Sequence, residues 1–263
     1  MIPYPDEAKI NDRIIYDTHA HYDDECFKDN LDVLLRQQKN SGVYSVISCA
    51  VDYKSSLDTI KLANRYDFVY AAIGTHPENL TGNDDFSYLY QLSNNKKCVA
   101  IGEIGLDYHY DISNKSAQID AFKKQIIIAN ELDLPVIVHD RDAHSDTMNV
   151  LKELKPKGVL HCFSGSEEMA KEILKLGMYI GVGGVITFKN AKKLPDIVKN
   201  LPEDRILIET DCPYLSPEPY RGKICHSGLI PFTAEKIAQL RNTTRDDVLQ
   251  ATCRNAKELF GVL

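Results

Sequence analysis

The sequence predicts an α/β protein folded as a (β/α)8 TIM barrel, a single domain over residues 1–263. Two observations carry that expectation. Eight short apolar, β-branched runs recur along the chain with amphipathic stretches between them. Residues able to ligate a metal follow those runs instead of preceding them, as they do where a barrel carries its chemistry on the carboxyl ends of its strands. A doubly wound open sheet is the natural competitor. Its site gathers at one switch point, which leaves little reason for ligands from the first, fourth, fifth, sixth and eighth strands to meet.

Taken in order, the expected strands are 14–17, 44–50, 69–73, 98–101, 135–138, 158–160, 178–182 and 205–208. None shows the polar alternation of a half-exposed strand, so the sheet should be parallel and covered on both faces. Helical spacing of apolar residues places helices at 30–41, 55–66, 116–132, 145–154, 167–176 and 191–201. Two of these end at glycine, in Ser41-Gly42 and Leu176-Gly177, as helices commonly do. The stretches 233–240 and 244–259 read as two final helices that close the barrel.

With 43% hydrophobic and 26% charged residues, the composition is that of a globular protein. No apolar run reaches the roughly 20 residues of a membrane span, so no membrane association is expected. The start, Met1 to Glu7, is polar and acidic and lacks the basic and apolar segments of a secretory signal. Seven scattered cysteines form no Cys-x-x-Cys pair, and the expected location is the cytoplasm, with reduced thiols. A net charge of −7 argues against broad attraction to nucleic acid. Bound divalent ions would still create a local phosphate site, so the charge disfavours a nucleic-acid scaffold and not a phosphohydrolase.

The candidate site begins with His19 and His21, two apart on one strand and so projecting to the same side. Glu103 follows Val99-Ala100-Ile101-Gly102, with two oxygens able to reach separate ions. His139 follows Pro135-Val136-Ile137-Val138, and His161 follows Gly158-Val159-Leu160. Lone histidines in such places are usually hydrogen-bonded core residues. Clustered neutral imidazoles without a metal would leave acceptor nitrogens needing partners, which favours ligation. Asp211, in Glu209-Thr210-Asp211-Cys212-Pro213, can both touch a metal and accept the proton of an attacking water. Four imidazoles and two carboxylates suffice for two divalent ions of zinc, magnesium or manganese type. A pair about 3.5 to 4 Å apart, bridged by Glu103, is the usual arrangement of a dinuclear hydrolase.

At this point the chain resembles the TatD family of metal-dependent hydrolases, amidohydrolase-like barrels usually described as deoxyribonucleases. The matching stretches are Asp17-Thr18-His19-Ala20-His21, Gly74-Thr75-His76-Pro77, Ala100 to Tyr108, Pro135 to Arg141, Leu160 to Gly165 and Ile208 to Tyr214, in order across nearly the whole chain. The resemblance implies that His19, His21, Glu103 and Asp211 hold one ion and that Glu103, His139 and His161 hold the other. It also implies that His76 faces the substrate and takes part in catalysis, with Asp107, Arg141 and Glu209 supporting the ligands or touching substrate. Arg221 and Lys223 are candidate phosphate contacts. Family members commonly carry an Arg-Asn-Glu-Pro-like run after Arg-Gly-Lys, and here Ile224-Cys225-His226-Ser227 stands in its place.

His109 and His144 are expected at the surface. Cys162 and Cys212, beside ligands, are expected by strand alternation to point away from them. The leading function is hydrolysis of DNA phosphodiesters, with 3′–5′ exonuclease action as one form of it, by a water activated between two ions; no obligate protein partner is expected. The alternatives are a metal-dependent esterase or amidohydrolase, such as an aminoacyl-tRNA deacylase, and a non-catalytic module that keeps metal only for structure.

Overall fold

A computed structural model describes residues 5, 10, 12–110 and 113–262. The stretch Met1 to Glu7, apart from Pro5, lies outside the described residues. Eight parallel strands follow one another around the sheet in chain order: β1 (Ile15–Ala20), β2 (Val43–Cys49), β3 (Val69–Ile73), β4 (Cys98–Asp107), β5 (Val136–Arg141), β6 (Gly158–Leu160), β7 (Tyr179–Val182) and β8 (Ile206–Ile208). Sequential order leaves no switch point, and the open-sheet alternative falls.

The sheet closes on itself beyond the regular ladder. One bridge pairs Ala20 with Cys212. His21 N–H donates to the Cys212 carbonyl at 2.7 Å, Asp211 N–H to the His19 carbonyl at 2.9 Å, and the Thr18 hydroxyl to the Ile208 carbonyl at 3.1 Å. The seam between β8 and β1 is therefore made from the segments that carry three expected ligands.

The helices are α1 (Leu31–Lys39), α2 (Tyr53–Arg65), α3 (Tyr88–Leu92), α4 (Lys115–Glu131), α5 (His144–Leu154), α6 (Glu167–Lys175), α7 (Leu194–Asn200), α8 (Ile230–Arg241) and α9 (Arg245–Phe260). Sequence spacing anticipates all but α3, which is too short to show a period. Capping residues fix several starts: Asp52 and Ser55 form a reciprocal box on α2, as do Thr244 and Asp247 on α9. Among the described residues, no helix is long and apolar enough to cross a membrane.

Two apolar layers result. One lies between strands and helices and draws on Ile15, Val46, Ile73, Ile104, Val138, Leu160 and Ile208 together with Leu35, Phe122, Leu151 and Ile237. The other takes at least one residue from every strand, namely Tyr16, Ile47, Ala72, Val99, Ile137, Val159, Tyr179 and Leu207, which is the signature of a filled barrel interior. Cys253, Ala256 and Phe260 of α9 join this inner layer, and Phe260 stacks on Tyr16 near the start of β1. Helix α9 thus plugs the end opposite the ligands.

Strand β4 runs to Asp107 instead of ending at Ile101, so Glu103 lies inside the strand and not after it. Gly105 permits this: it has φ +152°, and a Cβ there would sit 1.9 Å from the His139 carbonyl oxygen of β5. Only glycine lets the two strands approach so closely. Gly105→Ala is expected to destabilise the fold by about 3 kcal/mol or more, since backbone must move to relieve the clash. Urea denaturation measures it. A loss below about 1 kcal/mol would mean that the close approach relaxes freely.

Candidate metal centre

The strand ends bring the six expected ligands to one place. His19 lies on β1 and His21 one residue past it, Glu103 on β4, His139 on β5, His161 just after β6, and Asp211 on the turn after β8. Their rings and carboxylates line, or stand directly beneath, a cavity of about 860 Å3 at the carboxyl end of the barrel. Glu103 divides the cluster. Its Oε2 lies 3.3 Å from His19 Nε2 and 3.5 Å from His21 Nε2. Its Oε1 lies 2.9 Å from His139 Nδ1 and 2.7 Å from His161 Nε2.

Distances on the first side have the proportions of a coordination shell. His19 and His21 Nε2 atoms are 3.1 Å apart, and Asp211 Oδ1 is 3.6 Å from the one and 3.3 Å from the other. A tetrahedral ion bound at about 2.0–2.2 Å separates its ligand atoms by about 3.3–3.6 Å. On the second side His139 Nδ1 and His161 Nε2 are 3.4 Å apart. The residues present therefore fit divalent metal, and three overlapping groups, His19–His21–Asp211, His19–Glu103–His161 and His76–Glu103–His139, have donor atoms close enough to share an ion.

The far sides of the rings are held in ways that suit ligation. His21 Nδ1 meets the Cys49 carbonyl at 2.8 Å, and His139 Nε2 meets Asp107 Oδ2 at 2.9 Å. Such partners fix ring orientation and tautomer. Behind His161, Glu209 Oε1 lies 3.7 Å from Nδ1 and accepts the Cys162 N–H. Room for this buried carboxylate exists because residue 181 is glycine: a Cβ there would sit 2.6 Å from Glu209 Oε2.

Electrostatics follow from packing these groups out of water. Burial would raise the Glu103 carboxyl, but the imidazoles of His161, His19 and His76 outweigh it and hold that carboxyl well below its usual range. Burial likewise opposes charge on His21 and His139. The hydrogen bond to Asp211 and the charge of Glu103 push His21 up to about 9, and hydrogen bonds to Asp107 and Glu103 do the same for His139. His76 goes the other way, lowered to about 3 chiefly by burial, and is neutral.

These shifts set a sign. An imidazole raised from 6.5 to about 9 on folding adds stability that is complete below pH 6.5 and lost as pH climbs through 9. Metal demands the neutral ring, so at pH 7 uptake should expel protons from His21 and His139, and affinity should rise with pH up to about 9. Isothermal titration in buffers of different ionisation enthalpy counts these protons. An equal count at pH 7 and pH 10 would contradict the assignment.

His76 Nε2 stands 3.7 Å from Glu103 Oε1 and lines the cavity, as does Arg141, whose guanidinium lies 5.1 Å from the Tyr110 ring centre. Arg221 and Lys223 are exposed and are not among the lining residues; Arg221 packs over Phe188 at 4.2 Å. His226 is fully buried and also outside the lining. His109 pairs at the surface with Asp142, and half-buried His144 pairs with Asp140, whose side chain is almost fully buried. Cys212 is buried away from the cavity as expected. Cys162 is not: it lines the cavity, because φ +44° breaks the alternation on which the expectation rested. Sequence reasoning missed the Cys49 carbonyl, the acids Asp23, Asp24, Glu25 and Glu78, and the rim tyrosines Tyr110 and Tyr214, which are 74% and 57% exposed. The adjacent Asp23-Asp24-Glu25 run just past His21 was the available signal.

Imidazole and carboxylate donors converging on a deep cavity at the carboxyl end of an eight-stranded barrel define a class, the metal-dependent hydrolases. Within it the chain belongs to the TatD family, whose model, described as TatD related DNase, matches residues 16–261. The chain is 41% identical to the uncharacterized metal-dependent hydrolase YabD of Bacillus subtilis (strain 168), over 95% of this chain and 100% of that one. It is 37% identical to the uncharacterized metal-dependent hydrolase YcfH of Escherichia coli (strain K12), over 94% and 96%. Among solved structures, the TatD homolog YjjV from Escherichia coli K12 aligns with a TM-score of 0.88 at 32% identity, over 95% of this chain and 99% of that one. A beta-aspartyl dipeptidase from Fervidobacterium islandicum AW-1, at 15% identity and a TM-score of 0.63, over 94% and 74%, shares the fold alone.

Proposed function

We propose that residues 1–263 act as one catalytic domain, a two-metal deoxyribonuclease. The observation that carries this reading is the division of Glu103, one oxygen facing His19 and His21 and the other facing His139 and His161. The family description supports DNA as substrate. When bound, zinc, manganese or magnesium ions would polarise the scissile phosphoryl group and acidify a water; the imidazole-rich donor set favours zinc.

The chain's own groups do the rest. Asp211, with its carboxyl held below the usual range, is ionised at neutral pH and receives the proton of the attacking water. His76 Nδ1 accepts the Glu78 N–H at 3.2 Å, which leaves the proton of this neutral ring on Nε2, pointed toward Glu103 and available to a substrate oxygen. Arg141 offers a planar fork to phosphate. Arg221 and Lys223 lie on the outer surface, where they suit a trailing strand and not the reacting phosphate. Seven unpaired thiols fit a reducing compartment, and we place the protein in the cytoplasm.

One observation favours a second reading. On the β1 to β3 side the cavity is lined by Asp23, Asp24, Glu25 and Glu78, and among the described residues Arg141 is the one Lys or Arg in the lining. An acidic arc suits a substrate bearing an ammonium, such as an aminoacyl ester or an amide. A panel of DNA, RNA, esters and amides, assayed with each metal, separates the two. Release of nucleotides from DNA, abolished by chelator and by loss of Glu103, supports the first reading. Turnover of esters or amides with intact DNA supports the second. Arg141→Ala is expected to raise KM for DNA about tenfold with little change in kcat, through loss of a charge-assisted contact of about 1.5 kcal/mol. An unchanged KM would remove Arg141 from the phosphate site.

A further inference from the structure

Asp17 is a fully buried carboxylate that belongs to neither ligand set and does not line the cavity. Its two oxygens divide their work. Oδ1 accepts two backbone N–H groups, from His19 at 3.3 Å and from Thr210 at 3.0 Å. Oδ2 accepts two hydroxyls, Thr210 Oγ1 at 2.6 Å and Ser227 Oγ at 2.7 Å. Ser227 continues the network through its N–H, which donates to the Tyr22 hydroxyl at 2.9 Å, and that hydroxyl donates to Gln38 Oε1 of α1 at 2.9 Å. One side chain thus grips β1, the turn after β8 and the segment before α8.

The gripped groups are the immediate neighbours of ligands. His19 is itself held by its N–H, and Thr210, held through both N–H and hydroxyl, precedes Asp211, whose φ of +60° lies in the left-handed region. The Thr210 hydroxyl also accepts the N–H of Cys212 at 3.2 Å, so both flanks of Asp211 are tied to the same group. No regular ladder pairs β8 with β1 here; a single bridge does. The clamp stands where the sheet itself holds least.

We propose that Asp17 is a positioning residue for the ion held by His19, His21 and Asp211, setting its affinity while leaving the ion between His139 and His161 unaffected. The proposal rests on the two-ion reading, but its test does not use hydrolysis. Asp17→Asn is the informative variant. The amide oxygen can still accept both N–H groups, and the amide NH2 can donate to the two hydroxyl oxygens, with the Thr210 proton turning to the His19 carbonyl at 3.4 Å. Asp17→Ala leaves two buried N–H groups without acceptors.

Chelator-stripped protein is titrated with zinc against a chromophoric chelator, and cobalt spectra are recorded for the same variants. In Asp17→Ala one ion should bind as in the wild type and the other about tenfold to a hundredfold more weakly, the usual effect of losing a group that orients ligands. Thr210→Val should shift the same ion in the same direction, and Asp17→Asn should restore wild-type binding and the wild-type cobalt spectrum. If Asp17→Ala does not fold, Thr210→Val and Ser227→Ala carry the comparison. Unchanged affinity for both ions, equal weakening of both, or an Asn variant as impaired as the Ala variant would overturn the proposal. A wild type that takes up a single ion overturns the two-ion reading instead, and the proposal then stands only if Asp17→Ala weakens that ion.

Discussion

Glu103→Ala is expected to strip metal from both halves of the centre together and to lower turnover by about 10^3-fold or more, the scale of losing a group that organises transition-state charge. The reason is its position between two pairs of imidazoles, with Oε2 against His19 and His21 and Oε1 against His139 and His161. No other carboxylate in the cluster faces both. Alanine removes the carboxylate that faces all four imidazoles, leaving Asp211 beside His19 and His21 and Asp107 beside His139, and His161 loses its closest partner, at 2.7 Å. Glu103→Gln sharpens the experiment, since its amide offers an oxygen to one pair and an NH2 to the other. It should keep metal on one side only. Elemental analysis of dialysed protein beside single-turnover kinetics reads both effects, and an alanine variant that retained full metal content would remove Glu103 from the bridging role.

Asp211→Asn should reduce kcat by about 10^2- to 10^4-fold, the usual worth of a positioned acid–base group, with a smaller effect on KM. Its pH dependence is the more diagnostic outcome. Burial opposes ionisation of Asp211, yet the hydrogen bond from His21 and the neighbouring imidazoles hold its carboxyl below the ordinary range. A carboxylate whose pKa is lowered stays charged until the medium is more acidic than that range. Loss of activity on mild acidification should therefore follow protonation of ligand imidazoles, and the Asn variant should show the same acid limb at a lower plateau. An acid limb that vanished in the variant would identify Asp211 itself as the titrating group.

All eight strands and the convergence of the six candidate ligands were legible because each candidate sits within a few residues of a short apolar run, and such runs are hard to mistake. What failed was alternation carried across irregular backbone. The expected strand 98–101 stops short of the observed one, because Gly105 at φ +152° keeps β4 paired with β5 as far as Asp107. Regular pairing of β8 stops at Ile208, and beyond it Asp211 turns at φ +60°, so alternation does not carry to the residues after the strand. Cys162 swings toward the cavity for the same reason.

Asp17 shows the limit most clearly. Alternation from His19 would aim it at the cavity, but the register of β1 against β2 slips between Asp17 and Ala20, and its carboxylate meets Ser227 instead. The Cys49 carbonyl on His21 has no sequence signature at all, since every residue carries one. Arg221 and Lys223 were placed by motif, and the structure sets Arg221 over Phe188, a residue of the loop after β7 that no local pattern connects to it.

Because the seam joins residues as distant as Asp17 and Thr210, 193 positions apart, the hydrolase is completed by its last strand. A nascent chain leaving the ribosome holds His19 and His21 early but cannot gather the full donor set until Asp211 and the segment bearing Ser227 have emerged. The candidate centre is thereby incomplete throughout synthesis, and a product terminated before those late residues lacks both the Asp211 carboxylate and the groups through which Asp17 ties the first strand to the last.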